Sequence, residues 1–251
     1  MSTSWFSEKA LSKRTEFLKM VTLFSELGSE NLKTISSKFH ARTYKKQDII
    51  FHQGDESHVL YLIRKGKVRI FGVSPSGNET SYRIFSRYDI FGEFSVIDGR
   101  PRSTAAQAIE SCTLLEIKRK AFLQCAYEMP DLSMGLIKLL VEKLRFTTNY
   151  AESLVQYDTA GRLLNTILQY NEKYGIVSDS GKRYELDLSM NQEDLATMVG
   201  ARREWVNRIL KDWNKQGLIE YKRGKITIFD LHALKKERDH RIDIIPDEDK
   251  W

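Results

Sequence analysis

Between about Phe39 and Lys118, short apolar runs alternate with turn residues. The runs are rich in β-branched and aromatic residues, recur roughly every ten residues and occupy residues 48–51, 59–63, 67–73, 80–84 and 113–117. Glycines between the runs supply the positive φ angles that tight turns require. These glycines are Gly54, Gly66, Gly77 and Gly99. The pattern predicts short antiparallel strands that form a roll or a small barrel.

Helical spacing flanks this region on both sides. Between Lys13 and Phe39 the apolar residues predict short helices packed on the roll. After it, Pro130 begins the longest helical pattern, which continues to about Tyr157. Its apolar positions alternate by three and four like a coiled-coil seam, and they are Ile137, Leu140, Leu144, Thr147, Ala151 and Leu154. The seam predicts a helix that pairs with a second copy, with a surface helix that packs only on its own domain as the alternative.

A second compact pattern follows the long helix. It begins with a helix from about Gly161 to Tyr170 and continues, after a loop around 178–181, from Leu186 to Phe229. At 251 residues with 41% hydrophobic residues, the chain is long enough to bury two cores. We therefore expect two domains joined by the long helix.

Charge is unevenly distributed along the chain. The formal net charge is +6, and residues 200–238 hold eleven Lys and Arg against five Asp and Glu, a local excess of six. Concentrated positive charge suits the neutralisation of DNA phosphates, although a charged run can also be a solvated face. No long apolar run and no signal-like start occur, so we expect a cytoplasmic protein without a membrane partner.

Metal and catalytic chemistry lack support in the sequence. Cys112 and Cys125 form no CxxC pair, and the five histidines show no ligand spacing such as HxxxH or HExxH. We expect no metal, no iron–sulfur cluster and no disulfide. A nucleophile with its base and a phosphate loop of the GxxxxGK[ST] type are also missing, so the sequence does not predict an enzyme.

The most specific segment runs from Phe91 to Ala106 and resembles the phosphate-binding cassette of the cyclic-nucleotide-binding domain. Gly92 would let the backbone approach a ligand, and Glu93 would accept the ribose 2′-hydroxyl. Arg102 would offer a planar fork of donors to the cyclic phosphate, and Ser103 would add a hydroxyl donor. A surface salt bridge would be the simpler explanation for Arg102 alone, but the joint pattern favours a nucleotide pocket.

Nearly the whole chain beyond its first dozen residues resembles the bacterial cyclic AMP receptor protein family, the Crp/Fnr-type transcription regulators. In that family, two adjacent hydroxyl residues of the long helix contact the purine, one in the same subunit and one in the partner. They match Thr147 and Thr148 here. The alternative for Thr147 is a bond to the carbonyl one turn back. This match is the only reason to expect cyclic AMP as the effector, and cyclic GMP is the alternative.

Residues 191–210 have the form of a helix-turn-helix. Asn191 can cap the first helix, Gly200 marks the turn, and the second helix begins at about Arg202. An ordinary helical hairpin in a protein-binding module is the alternative. The resemblance assigns base reading to three residues of the second helix, and the chemistry suits it, because Arg can bond guanine bidentately and Glu can accept from cytosine. These residues are Arg203, Glu204 and Arg208.

The expected DNA-binding set extends beyond these three residues. Gln192 and Arg202 are included in it, and residues 218–228 predict a hairpin wing that places Lys222, Arg223 and Lys225 near phosphates. Trp205 replaces the small hydroxyl residue usual in the family. We therefore expect one phosphate contact and the operator sequence to differ from those usual in the family.

These observations predict an α+β chain with an N-terminal antiparallel β-roll, a dimerisation helix and a C-terminal winged helix-turn-helix. The expected boundaries are 13–130 for the cyclic-nucleotide-binding roll with its flanking helices, 131–157 for the helix, 158–238 for the DNA-binding domain and 239–251 for a polar tail. The expected function is a homodimeric regulator that binds inverted-repeat DNA, is gated by a cyclic nucleotide held between roll and helix, and works with RNA polymerase.

Three alternatives stay open at this point. A regulator of the same family could answer to another effector or need none, although the missing cysteine set argues against an iron–sulfur sensor. A cyclic-nucleotide-dependent protein-interaction module would not need Arg203, Glu204 and Arg208 beside a wing. An enzyme would need a catalytic constellation that the sequence does not contain.

Overall fold

The computed structural model describes residues 8–178, 183–186, 188 and 190–242. The chain divides into two compact units, Met1–Lys143 and Leu144–Trp251, and the division falls within one long helix. Each unit contains its own buried residues and its own sheets.

The first unit contains two antiparallel four-stranded sheets, which confirms the predicted β-roll. The strands are β1 (His40–Tyr44), β2 (Ile49–Phe51), β3 (Val59–Lys65), β4 (Val68–Val73), β5 (Glu79–Phe85), β6 (Ile90–Phe91), β7 (Ala105–Ala108) and β8 (Cys112–Lys118). Their order is β1-β8-β3-β6 in one sheet and β2-β7-β4-β5 in the other. Side chains from both sheets meet in one apolar cluster, including Ile63 and Leu114 from the first and Ile70 and Ala106 from the second.

A glycine turn joins β3 to β4 where the backbone has no room for a side chain. Gly66 has φ +94°, and a Cβ built there would lie 2.6 Å from Cys112 Sγ. A larger residue would therefore meet both backbone strain and a clash. The absence of a side chain at Gly66 thus allows the start of β8 to pack closely against this turn.

Helices cover the first unit. They are α1 (Glu8–Lys19), a short 3₁₀ turn (Thr22–Phe24), α2 (Ser29–Lys38), α3 (Glu93–Asp98), α4 (Arg119–Glu128) and α5 (Pro130–Gln156), which continues into the second unit. A second apolar cluster joins these helices to the roll and includes Phe24 and Ile35 with Leu62 and Leu115. Because these side chains are at most 1% exposed, the helices and the first sheet share one core.

The second unit is a winged helix-turn-helix, as predicted. Its elements are α6 (Thr159–Tyr174), β9 (Gly175–Ser178), β10 (Arg183–Leu186), α7 (Gln192–Val199), α8 (Arg203–Lys215), β11 (Ile219–Lys222), β12 (Lys225–Ile228) and α9 (Leu231–Asp239), with sheet order β11-β12-β10-β9. Asn191 and Asp194 form a reciprocal capping box at the start of α7. Gly200, at φ +66°, ends that helix and allows the turn into α8.

The segment predicted as a polar tail is structured in its described part. Arg241 pairs with Glu237 at 2.8 Å and with Asp158 at 3.4 Å. Ile242 forms a β-bridge with Tyr157. Residues 243–251 lie outside the described residues, so the order shown here concerns only the first part of the predicted tail.

Candidate functional site

The cassette begins at a glycine that the structure requires. Gly92 has φ +78° and stands directly before α3. A Cβ at this position would lie 2.7 Å from Arg102 Nη1 and 3.0 Å from the Val59 carbonyl oxygen. The Gly92 backbone is therefore in close contact with the guanidinium, and any side chain would push the two apart.

Arg102 is a buried cation, only 4% exposed. Its Nη1 donates to the Gly92 carbonyl and to Ser95 Oγ, both at 2.7 Å, and its Nη2 donates to the Val59 carbonyl at 2.7 Å. The ring of Phe51 lies 4.2 Å from Cζ. Burial lowers the pKa of Arg102, whereas the nearby tyrosine and glutamate raise it; an arginine stays charged in proteins all the same.

One donor of this guanidinium is still available. Arg102 Nε is buried and has no hydrogen-bond partner among the described residues. The backbone of Arg102 is itself held, because its N–H donates to Asp55 O at 2.9 Å and its carbonyl accepts from Gly54 N at 2.8 Å. A fixed, buried cation with an unpaired donor is suited to bind an anion.

Glu93, the predicted ribose acceptor, is 2% exposed and forms an ion pair. Lys143 Nζ lies 2.8 Å from its carboxylate and also donates to the Ile90 carbonyl at 2.9 Å. Burial lowers the pKa of Lys143, and Glu93 opposes that shift. Sequence analysis missed Lys143, because a lysine within a charged stretch of helix gives no sign of a distant buried partner.

An aromatic cluster lies beside the guanidinium inside the roll. The rings of Tyr61 and Phe91 stack at 5.0 Å between centroids, and Phe51 lies 5.7 Å from Tyr61. Arg102 is in contact with this cluster through Phe51 and Tyr61. These rings belong to the apolar core of the roll, and the sequence showed them only as strand-forming residues.

The remaining predicted ligand residues are exposed. Ser103 follows the buried Arg102 and is itself exposed. Thr147 and Thr148 lie on α5 in the second unit, and both are exposed. Each of the three residues is therefore exposed within its own unit.

In the second unit, α8 separates an apolar face from a charged one. Val206, Leu210 and Trp213 are buried, while the three predicted base-reading residues are exposed, namely Arg203, Glu204 and Arg208. Arg202 is exposed at the N-cap position, and Trp205 is half-buried. The helix thus packs through one side and presents the other to solvent.

The wing is held firmly beside the helix-turn-helix. Tyr221 Oη donates to the Met190 carbonyl at 3.0 Å, and Met190 N donates to the Gly224 carbonyl at 2.9 Å. At its tip, Arg223 and Gly224 have φ +52° and +84°, the values of a two-residue hairpin turn. Lys222 and Arg223 are exposed there.

Comparison with known proteins agrees with this geometry. A family model of the cyclic nucleotide-binding domain matches residues 41–128, and a model of the Crp-like helix-turn-helix domain matches residues 161–237. The chain belongs to the Crp/Fnr family. It is a DNA-binding transcription regulator with a cyclic nucleotide-binding domain, and not an enzyme.

Relatives of this Crp/Fnr-type regulator match along most of their length. The chain is 28% identical over 221 residues to the CRP-like cAMP-activated global transcriptional regulator of Mycobacterium tuberculosis, covering 88% of this chain and 98% of that protein. It is 27% identical over 220 residues to the global nitrogen regulator of Synechococcus elongatus, covering 87% and 96%. Its fold resembles a CooA mutant from Carboxydothermus hydrogenoformans, with TM-score 0.70, 23% identity and coverage of 88% and 95%.

The described residues give no metal-binding cluster and no membrane-spanning helix. Within the described ranges, no group of three or more His, Cys, Asp or Glu side chains could hold a metal ion. Cys112 and Cys125 are buried free thiols. None of the helices in the described part of the chain combines the length and apolar character that a membrane span needs.

Proposed function

We propose that this regulator is a homodimer that binds an inverted-repeat DNA site under the control of a cyclic nucleotide, with cyclic AMP as the first candidate. The observation that carries the proposal is the buried Arg102, whose Nε has no partner among the described residues and which touches the Gly92 backbone. A phosphate beside that backbone would satisfy the unpaired donor and neutralise the buried charge.

The neighbouring groups suit the rest of such a ligand. Glu93 would accept the ribose 2′-hydroxyl, and Lys143 Nζ holds its carboxylate in place at 2.8 Å. Ser103, exposed next to Arg102, would add a hydroxyl donor to the phosphate. The aromatic cluster would shield the phosphate contacts from water and so strengthen them.

The identity of the nucleotide depends on residues other than those proposed for its phosphate. Thr147 and Thr148 are the proposed purine contacts, and the name of the Mycobacterium relative specifies cyclic AMP. The Synechococcus relative, at similar identity, is named for nitrogen regulation. A regulator of the same fold that answers to another small anion is therefore the second candidate.

Titration calorimetry of the full chain with cyclic AMP and with cyclic GMP tests this proposal. We expect both to bind through the shared cyclic phosphate and cyclic AMP to bind more tightly. Inorganic phosphate should not compete, because it lacks the ribose and purine contacts. If neither nucleotide releases or absorbs heat at millimolar concentration, the cyclic-nucleotide proposal is wrong and the second candidate takes its place.

The dimer proposal rests on α5. Apolar side chains are exposed along this helix, including Ile137 at 53% and Leu144 at 65%, both in the predicted seam. Others outside that seam are Met134, Val141 and Val155. An apolar stripe of this length on a single helix is typical of a face that a second copy covers.

We expect light scattering to give twice the chain mass of 29.2 kDa at micromolar concentration. Leu144→Glu should shift the population towards the monomer, because it places a charge in the covered seam. Tyr127→Glu is the matched control, since Tyr127 is an apolar side chain that is 87% exposed and lies on α4, away from the seam. A wild-type mass of one chain, with and without cyclic AMP, would refute the dimer.

At the DNA, Arg203, Glu204 and Arg208 would read base edges. Gln192, Arg202 and the wing residues Lys222 and Arg223 would contact the backbone or the groove edge. A two-fold dimer presents two such helices, which is why we propose an inverted repeat with half-sites about one helical turn apart. Because the chain regulates transcription, RNA polymerase is the proposed further partner.

A further inference from the structure

The first and second helices of the helix-turn-helix are joined by a contact between two amide side chains. Gln192 Nε2, in the first turn of α7, donates to Asn207 Oδ1 of α8 at 3.1 Å. Both residues are half-buried. Asn207 follows Arg203 by four positions and Glu204 by three, so it lies on the same side of α8 as these residues.

The contact leaves Asn207 with a defined set of hydrogen-bonding groups. An amide oxygen can accept twice, and Gln192 uses one of these positions. The second lone pair and both N–H groups of Asn207 have no partner among the described residues. In this arrangement the Gln192 N–H meets the Asn207 oxygen, so Asn207 Nδ2 makes no bond to Gln192.

A fixed amide that offers one donor and one acceptor side by side matches the major-groove edge of adenine. Its N–H can donate to N7 while its oxygen accepts from the N6 amino group. Ordering this side chain before DNA arrives would also remove part of the entropy that binding otherwise costs. The Gln192–Asn207 contact therefore holds Asn207 in a conformation suited to hydrogen-bonding a base.

We propose that Asn207 reads an adenine in each half-site and that Gln192 is a positioning residue for it. The proposal rests on α8 being the reading helix. It also changes the role of Gln192, which acts through Asn207 in place of a direct DNA contact. A purely structural contact is the competing explanation, although both helices also carry buried apolar residues, namely Leu195, Met198 and Leu210.

Selection of binding sites from random duplex DNA, with the full chain and saturating cyclic AMP, tests this assignment. Asn207→Ala should lower the preference for one A·T pair per half-site by about fivefold to a hundredfold. Asn207→Asp should change the preference there from adenine to cytosine, because a carboxylate accepts from the cytosine amino group but cannot donate to N7. Gln192→Ala should weaken the preference at the same pair and nowhere else.

Asn214→Ala is the matched control. Asn214 is the same residue type, is exposed, and lies seven positions further along α8, about 10 Å from Asn207. It should keep the parental consensus. If Asn207→Ala keeps the parental consensus but unfolds at a lower temperature, the proposal is overturned and the contact is purely structural. A uniform loss of affinity in Gln192→Ala, with no change at the A·T pair, would overturn the positioning role.

The failure of this inference can be told apart from failure of the proposed function. If Arg208→Ala alters the consensus and Asn207→Ala does not, only the role of Asn207 is wrong. If the wild-type chain selects no inverted repeat, both the proposed DNA site and this inference are wrong.

Discussion

Arg102→Ala is expected to weaken cyclic AMP binding by at least about 2 kcal/mol, roughly thirtyfold. The substitution removes the buried cation that would meet the phosphate, so the anion would lose its charge-assisted partner. Arg100→Ala, two residues earlier on an exposed part of the same segment, should bind as the wild type does. Calorimetry on the three proteins makes the comparison, and equal affinity in Arg102→Ala would disprove the phosphate assignment.

The same substitution also removes hydrogen bonds that hold the cassette together. Arg102 donates to Gly92, Ser95 and Val59, so its loss should loosen the segment even without ligand. Arg102→Lys separates the two effects, because lysine keeps the charge but lacks the planar fork. We expect it to bind more weakly than the wild type and more tightly than Arg102→Ala, with thermal unfolding recorded for each protein to confirm folding.

The second large effect concerns DNA specificity. Arg208→Ala or Glu204→Ala should cost about 1–3 kcal/mol at a particular base pair and relax the preference there. Lys222→Ala on the wing should weaken all sequences alike and reduce the salt slope by about one, because it removes a phosphate contact. Site selection and salt titrations measure both quantities. A parental consensus in both α8 variants, together with an altered one in the wing variant, would show that the reading helix is wrongly chosen.

Arg223 allows a cleaner test of the wing. It has φ +52°, a conformation that a long side chain adopts at a cost but that Asn tolerates well. Arg223→Asn should therefore keep or raise hairpin stability while lowering DNA affinity uniformly. If both affinity and salt dependence stay unchanged, the charge at the wing tip does not contact phosphate.

Strongly patterned strands could be predicted from the sequence, and weakly patterned ones could not. β3, β4, β5 and β8 are rich in β-branched and aromatic residues and lie within a residue or two of their predicted limits. β1 is largely exposed and polar, and β7 is mostly alanine, so neither has the composition of a strand. These two strands form because they pair with β8 and β4, whose positions depend on the whole roll.

Some residues of the candidate site could likewise be predicted from a local sequence pattern, and others could not. Gly92, Glu93 and Arg102 fall within one short segment, whose combination of residue types is specific enough to predict a pocket. The Lys143–Glu93 ion pair and the Gln192–Asn207 contact were missed because each joins residues on two different elements. Such pairs depend on tertiary packing, which no local pattern records.

The central claim is that a cyclic nucleotide controls DNA binding by this chain. Its most direct test is the fluorescence anisotropy of a labelled, selected inverted repeat titrated with the full chain, with and without saturating cyclic AMP. We predict that cyclic AMP raises the affinity by about fivefold to 150-fold, the usual range of coupling between sites, and that Arg102→Ala loses this response. Identical binding curves with and without cyclic AMP, for a protein that binds the repeat, would contradict the account.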